Sequence, residues 1–86
     1  MSSPNILPLI GALNVTTLET ATVSIHGDIY YDLLIAPVDA AGQIQGQHGA
    51  RVRIPAHLCP RPPRVDDRLT LRFLMGQVSG VTFAQA

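Results

Sequence analysis

The sequence predicts an all-β domain, and three observations support that prediction. Seven proline and seven glycine residues recur along the 86-residue chain, and they interrupt every candidate helix longer than about two turns. Hydrophobic and polar residues alternate with a period of two in several segments, as they do on half-buried strands. Valine, isoleucine and threonine, which favour strands, are frequent in those segments. We therefore expect one β domain over residues 1–86, with residues 1–9 as a loose N-terminal arm.

The first strand is predicted over residues 10–26, a segment rich in threonine and valine. Its alternation changes phase near Leu18 and Glu19, which indicates either a turn or a β-bulge that bends one long strand. Gly27-Asp28 follows as a two-residue hairpin turn of type II′, because glycine accepts a positive φ at the first central position. This turn would place Val23 opposite Asp32.

The next two strands are predicted over residues 29–38 and 50–54, on either side of a loop rich in glycine and glutamine. The second strand is apolar on both faces except at Asp32, which is typical of a central strand. On the third strand Arg51 and Arg53 share one face, and the alternate positions share the other, namely Ala50, Val52 and Ile54.

A proline-rich connection leads to the last hairpin. Pro55 can begin a short helical turn over residues 56–58, three further prolines stiffen the chain, and a turn is expected at Asp66-Asp67. The hairpin follows as strands 68–75 and 78–84 around Gly76-Gln77. That register would put the Phe73 ring over Gly80. It would also gather four side chains on the outer face, namely Arg68, Arg72, Val81 and Phe83.

Five strands with an irregular or briefly helical proline-rich connection between strands 3 and 4 resemble the order of an OB-fold, a small five-stranded β-barrel. The resemblance covers most of the chain and lies in topology, since no diagnostic sequence motif accompanies it. An SH3-like barrel and a small open meander are the alternatives. The resemblance implies a binding face on the second and third strands and their flanking loops.

The zero net charge of the chain conceals a strong asymmetry. Residues 1–50 contain four acidic residues and no lysine or arginine, whereas residues 51–86 contain all six arginines and two aspartates. This pattern suggests either a polyanionic partner or pairing between the two halves of the chain.

No catalytic or metal-binding motif accompanies these charges. His57 and Cys59 form only one short-spaced pair of potential ligands, whereas structural zinc sites usually have four. Asp32 on an apolar strand could act as a general acid or base if buried, but an aspartate accepting hydrogen bonds is the commoner case. We therefore predict no enzyme activity, no metal and no cofactor.

The function predicted first is binding of single-stranded nucleic acid, which needs cations for phosphates and aromatic rings for bases. The candidate residues are Arg51, Arg53, Arg68, Arg72, Tyr30, Tyr31 and Phe83.

The alternative is a protein-interaction module that self-associates through the C-terminal hairpin or an edge strand. Its candidate interface residues are Leu74, Val81 and Phe83. We expect a cytoplasmic protein that does not enter a membrane, because no basic residue precedes the first apolar stretch and no apolar run is long enough to span a bilayer.

Overall fold

A computed structural model describes residues 10–45 and 49–84, and within them five antiparallel strands form one sheet. The strands are β1 (Gly11–Ile25), β2 (Asp28–Pro37), β3 (Ala50–Pro55), β4 (Arg68–Leu74) and β5 (Gln77–Phe83). Their order across the sheet is β3-β2-β1-β4-β5. The all-β class is confirmed, but the sheet is not a closed barrel, since β3 and β5 remain its two edges. The predicted arm over residues 1–9 lies outside the described residues.

A single β-bulge bends the central strand β1. The pairing of β1 with β2 shifts by one position between Thr17 and Glu19, so Leu18 is the extra residue. This is the position at which the hydrophobic alternation changes phase, and of the two alternatives offered by the sequence the bulge is correct. β1 pairs with two strands: β4 pairs with residues 11–16, and β2 pairs with residues 15–25 on both sides of the bulge.

Both hairpin turns lie one residue earlier than predicted. His26 and Gly27 have φ values of 52° and 85°, and Met75 and Gly76 have φ values of 54° and 79°. Positive φ at both central residues is characteristic of a type I′ turn, which matches the twist of the flanking strands. The predicted type II′ turn at Gly27-Asp28 is therefore wrong, because the glycine occupies the second central position.

The first hairpin consequently pairs Val23 with Tyr30 and Ala21 with Asp32. In the last hairpin the earlier turn combines with a second irregularity between Arg72 and Phe73. Phe73 lies opposite Val78, so the predicted contact between its ring and Gly80 is wrong.

Arg72 takes the place expected for that ring. It lies opposite Gly80, and a Cβ added at Gly80 would be 2.7 Å from Arg72 Nη2. The absence of a side chain at Gly80 therefore leaves room for the guanidinium of Arg72.

The hydrophobic core lies on the face of the sheet that carries the alternate residues of β2, β3 and β4. Leu33, Ile35, Ile54 and Leu71 are completely buried there. Burying one such aliphatic side chain contributes about 1.5–3 kcal/mol. On β3 the opposite phase carries the exposed Arg51 and Arg53, which therefore point away from this core.

The connection between β3 and β4 is short of regular structure but well anchored. It begins with the predicted helical turn, a 3-10 turn over Ala56–Leu58, which is the only helical segment in the described ranges and is far too short to cross a membrane. It ends where Asp66 N–H donates to the Thr17 carbonyl at 2.8 Å and Thr17 N–H donates to the Asp67 carbonyl at 2.9 Å. These two bonds tie the end of the connection to the bulged part of β1.

Candidate nucleic-acid interface

A groove runs beside edge strand β3, from the β1–β2 turn to the β4–β5 turn. One part has a volume of about 410 Å³ and lies between β3 and the residues that follow Met75. A second part of about 370 Å³ lies beside Gly27 and the 3-10 turn. Tyr30 and Pro55 line both parts, so the two adjoin each other at these residues. We call this depression the β3 groove.

Alternation along β2 places the two tyrosines on opposite faces. Tyr31 is buried in the core with 9% exposure, while Tyr30 is only partly buried and lines both parts of the groove. Tyr30 lies between Val23 on β1 and Pro55 on β3. Of the two tyrosines, Tyr30 is therefore the one that a ligand can reach. Tyr31, also a predicted site residue, is not positioned to contact a ligand in the groove.

Arg51 and Arg53 project from β3 at the rim of the groove, as the alternation of the sequence predicted. Arg53 lies opposite Asp32 and makes two hydrogen bonds to its carboxylate, from Nε at 2.7 Å and from Nη2 at 2.9 Å. Arg51 is freer: its Nη2 is 3.9 Å from Glu19 Oε1, and the Arg51 side chain is 74% exposed. The rim thus offers one accessible cation and one that is engaged.

Hydrogen bonding to Arg53 lowers the pKa of Asp32 below its usual value. Desolvation of the carboxylate opposes this shift, and weaker Coulombic attraction to Arg53 and Arg51 adds to it. The hydrogen bonds to Asp32 in turn raise the pKa of Arg53. Asp32 is therefore ionised at neutral pH. The raised pKa that burial would give a carboxyl group is therefore not found at Asp32.

The other predicted arginines lie elsewhere. Arg68 and Arg72 share a face of β4, and β2 and β1 separate that strand from β3 in the sheet. The Arg68 guanidinium packs on Gly42, and Arg72 Nη1 donates to Thr82 Oγ1 at 3.3 Å. Neither forms an ion pair with an acidic residue of the described ranges. The four predicted arginines therefore form two separate pairs, of which only the β3 pair lines the groove.

Phe83 is not on the outer face predicted for it. It lies opposite Leu69 and packs against the hydrophobic core, and Val81 does the same opposite Leu71. The shift in register explains both corrections, since moving one strand by one residue exchanges its two faces. Of the three predicted interface residues only Leu74 is exposed, at 54%, whereas Val81 and Phe83 are partly buried.

The free face of Phe83 is covered by a residue that sequence reasoning did not single out. The Arg61 guanidinium lies 4.4 Å from the centre of the Phe83 ring. It also donates to both carboxylate oxygens of Asp67, at 2.8 and 3.1 Å. A cation over an aromatic ring is a favourable contact, and here it fixes the connection to β5. The spacing of Arg61 and Asp67 was the only available signal, and it is not specific.

The described residues contain no cluster of three or more histidine, cysteine, aspartate or glutamate side chains that could hold a metal ion. Cys59 follows the 3-10 turn and packs against the core. Burial raises the pKa of its thiol, so the reactive thiolate is disfavoured at neutral pH.

Comparison of the chain with protein-family models, with curated proteins and with solved structures returned no match. The β3 groove and the residues that line it are therefore the features of this chain that indicate a function.

Proposed function

We propose that this chain is a non-enzymatic, cytoplasmic binding module and that single-stranded nucleic acid binds in the β3 groove. The observation that carries the proposal is the grouping of one aromatic ring and two guanidinium groups in a single groove. Tyr30 lines both parts of the groove, and Arg51 and Arg53 line the part beside the β4–β5 turn. Proteins that bind single strands without reading a long sequence use this combination, with bases stacking on rings and phosphates contacting cations.

We also propose that the curled sheet is an OB-like barrel left open between β3 and β5. Supporting this, β3 and β5 come within 8 Å of each other at Cα positions although no ladder joins them. OB-folds are partly open barrels that bind oligonucleotides and oligosaccharides on strands 2 and 3 and on the loops after strands 1 and 4. The β3 groove adjoins the same four elements of this chain.

The expected affinity is modest. A base stacked on one aromatic side chain contributes about 1–3 kcal/mol. One phosphate neutralised at the exposed Arg51 would give a salt slope of about −0.7 for a single strand, and a second at Arg53 would bring the slope to about −1.4. Binding should thus be measurable at low salt and weaken gradually as salt is added.

The test is fluorescence anisotropy of labelled oligothymidylate, oligouridylate and a DNA duplex, measured at 50 and 200 mM salt. We expect the single strands to bind more tightly than the duplex. The double variant Arg51→Ala with Arg53→Ala and the single variant Tyr30→Ala should each weaken binding. The matched control is Arg68→Ala with Arg72→Ala, which removes the same charge from β4 and should have a much smaller effect.

Two results would contradict the proposal. One is the absence of binding to any single strand at 50 mM salt. The other is an equal loss in both double variants, since that would indicate nonspecific attraction to the arginines rather than a groove on β3.

Self-association is the second candidate function, and the composition of the two edge strands favours it. Edge strand β3 carries two arginines and ends at Pro55, features that discourage pairing with another chain. Edge strand β5 has no charged residue and no proline. The hairpin that contains it also exposes Leu74, and Met75 is 85% exposed at its turn.

This second candidate is tested by the molar mass in solution, from sedimentation or light scattering over a wide concentration range. We expect Ser79→Lys, a charge placed at an exposed position of β5, to convert a dimer into a monomer. A wild-type chain that is monomeric at every concentration would exclude self-association.

A further inference from the structure

Asp32 holds Arg53 in the geometry that a phosphate group would adopt. Its two carboxylate oxygens accept from Nε and Nη2 of one guanidinium, at 2.7 and 2.9 Å. A planar guanidinium binds carboxylates and phosphates alike through such parallel pairs of hydrogen bonds. The carboxylate therefore occupies the donors that Arg53 would offer to a nucleic-acid backbone.

We propose that Asp32 is an internal competitor for Arg53 and limits the affinity of the β3 groove for phosphates. This inference rests on the proposed function, because it assigns a specificity-determining role within the same groove. A polyanion would first contact the freer Arg51 and would gain Arg53 only by displacing the Asp32 carboxylate.

The pair is placed where a ligand can reach it. The Arg53 side chain is 51% exposed and that of Asp32 is 33% exposed, and both line a depression that also contains Arg51. Exposed ion pairs contribute little to folding stability, so the sheet does not depend on this one. Exchange of its carboxylate partner for a phosphate is therefore possible without loss of the fold.

The second two-pronged ion pair of the described residues is built differently. Asp67 accepts from Arg61 but also from the backbone N–H of Arg64 at 2.7 Å. The Arg61 guanidinium additionally covers the Phe83 ring. The Arg61–Asp67 pair is thus held by additional contacts to the Arg64 backbone and the Phe83 ring, and it stabilises the fold. The hydrogen bonds described for the Asp32 carboxylate, in contrast, come only from Arg53.

The competition should not relax within the neutral range of pH. Asp32 has a lowered pKa because of its hydrogen bonds to Arg53. Its carboxylate therefore stays charged throughout the neutral pH range in which binding would be measured. Removal of the competitor therefore requires substitution or displacement, and a mild change of pH does not suffice.

The experiment measures binding of labelled oligothymidylate to the wild-type chain and to Asp32→Asn. Asparagine keeps the shape of the side chain and removes its charge. We expect roughly three- to tenfold tighter binding at 50 mM salt, the range set by one additional charge-assisted contact. The salt slope should become steeper by about 0.7, which corresponds to one more neutralised phosphate on a single strand.

The matched control is Asp66→Asn, which makes the same change of charge at an exposed position outside the groove. Asp66 has a φ of 74°, a conformation that asparagine also accepts, so this variant should fold normally. A second control combines Asp32→Asn with Arg53→Ala and should show no gain over Arg53→Ala alone. Circular dichroism checks that each variant is folded, and Asp32→Ser serves as a second test if Asp32→Asn is not.

The outcomes separate this inference from the proposed function. If the wild-type chain binds and Asp32→Asn binds no tighter than Asp66→Asn, the competitor role is refuted while the groove stands. A gain that survives removal of Arg53 refutes it as well. If neither the wild-type chain nor Asp32→Asn binds single strands, both proposals fail.

Discussion

We predict that removing the buried hydroxyl group of Thr17 stabilises the fold. Thr17 lies at the bulge of β1 and is completely buried. Its backbone N–H and carbonyl are bonded to Asp67 and Asp66, but its Oγ1 has no hydrogen-bond partner among the described residues. A buried hydroxyl without a partner costs about 1–3 kcal/mol of folding free energy. The substitution Thr17→Val replaces that hydroxyl with a methyl group of similar size.

We expect Thr17→Val to raise the free energy of unfolding by about 1 kcal/mol. The lower end of the range applies because a hydroxyl rotates easily and a slightly larger methyl group must fit the same space. For a domain of this size, 1 kcal/mol raises the midpoint of thermal unfolding by about 4–8 °C.

The assay is urea unfolding followed by circular dichroism, together with a thermal scan. The urea midpoint should rise while the slope of the transition stays constant, because the surface exposed on unfolding does not change. The matched control is Thr20→Val, an exposed threonine of the same strand, for which we expect a change within about 0.5 kcal/mol. Unchanged or reduced stability in Thr17→Val would show that Oγ1 has a hydrogen-bond partner, and the reasoning would fail.

Three further predictions concern the turns, one ion pair and one close contact. Met75→Asn should stabilise the chain by roughly 1 kcal/mol in urea unfolding, because asparagine adopts a positive φ more readily than methionine; a loss of stability would contradict the turn assignment. Stability should hold from pH 7 to pH 5 and fall below about pH 4, since the pKa of Asp67 is lowered in the folded chain and the contribution of its ion pair is lost as pH falls through that value; a pH titration of the urea midpoint checks this, and a midpoint that rises on acidification would refute it. Gly49→Ala should destabilise the chain by about 1–3 kcal/mol, because the new Cβ would lie 2.9 Å from the Ile35 carbonyl oxygen; unchanged thermal stability would show that the backbone yields there.

Much of the fold could be predicted from period-two alternation. The five strands, the phase change in β1, the short helical turn after Pro55 and the outward direction of Arg51 and Arg53 all follow from local pattern. Local pattern suffices for these features because each depends on which side of one strand is buried.

The register of the two hairpins could not be predicted in the same way. The sequence predicts each glycine at the first central position of its turn, because the preceding residue is neither asparagine nor aspartate. In the structure His26 and Met75 adopt positive φ themselves, so both turns form one residue earlier. In the last hairpin the earlier turn alone would leave the two faces of β5 unchanged. The irregularity between Arg72 and Phe73, where Ser79 is the extra residue of β5, exchanges them. It accounts for the misplacement of Val81 and Phe83 and for the position of Arg72 opposite Gly80.

The charge asymmetry of the sequence left a choice that only the fold resolves. Arg51 and Arg53 lie close to Glu19 and Asp32, which belong to the acidic half of the chain. Arg61, in contrast, pairs with Asp67 of its own half. Partial neutralisation is thus the outcome at β3, and the remaining charge is spread over β4 and the connection. No local pattern specifies such pairings, because they join positions that are distant in sequence.

The sharing of β1 between two partners has a consequence for the order of folding. Thr16 lies beside Ala36 on one side and beside Arg68 on the other. Ala36 reaches Thr16 when the β1–β2 hairpin forms. Arg68 reaches it only after a loop of about fifty residues closes, and such nonlocal strand pairing is slow. During synthesis, the N-terminal half of β1 must therefore wait for β4 to leave the ribosome. Until then its hydrogen-bonding groups are open to other chains, and this interval is when the protein is most exposed to aggregation.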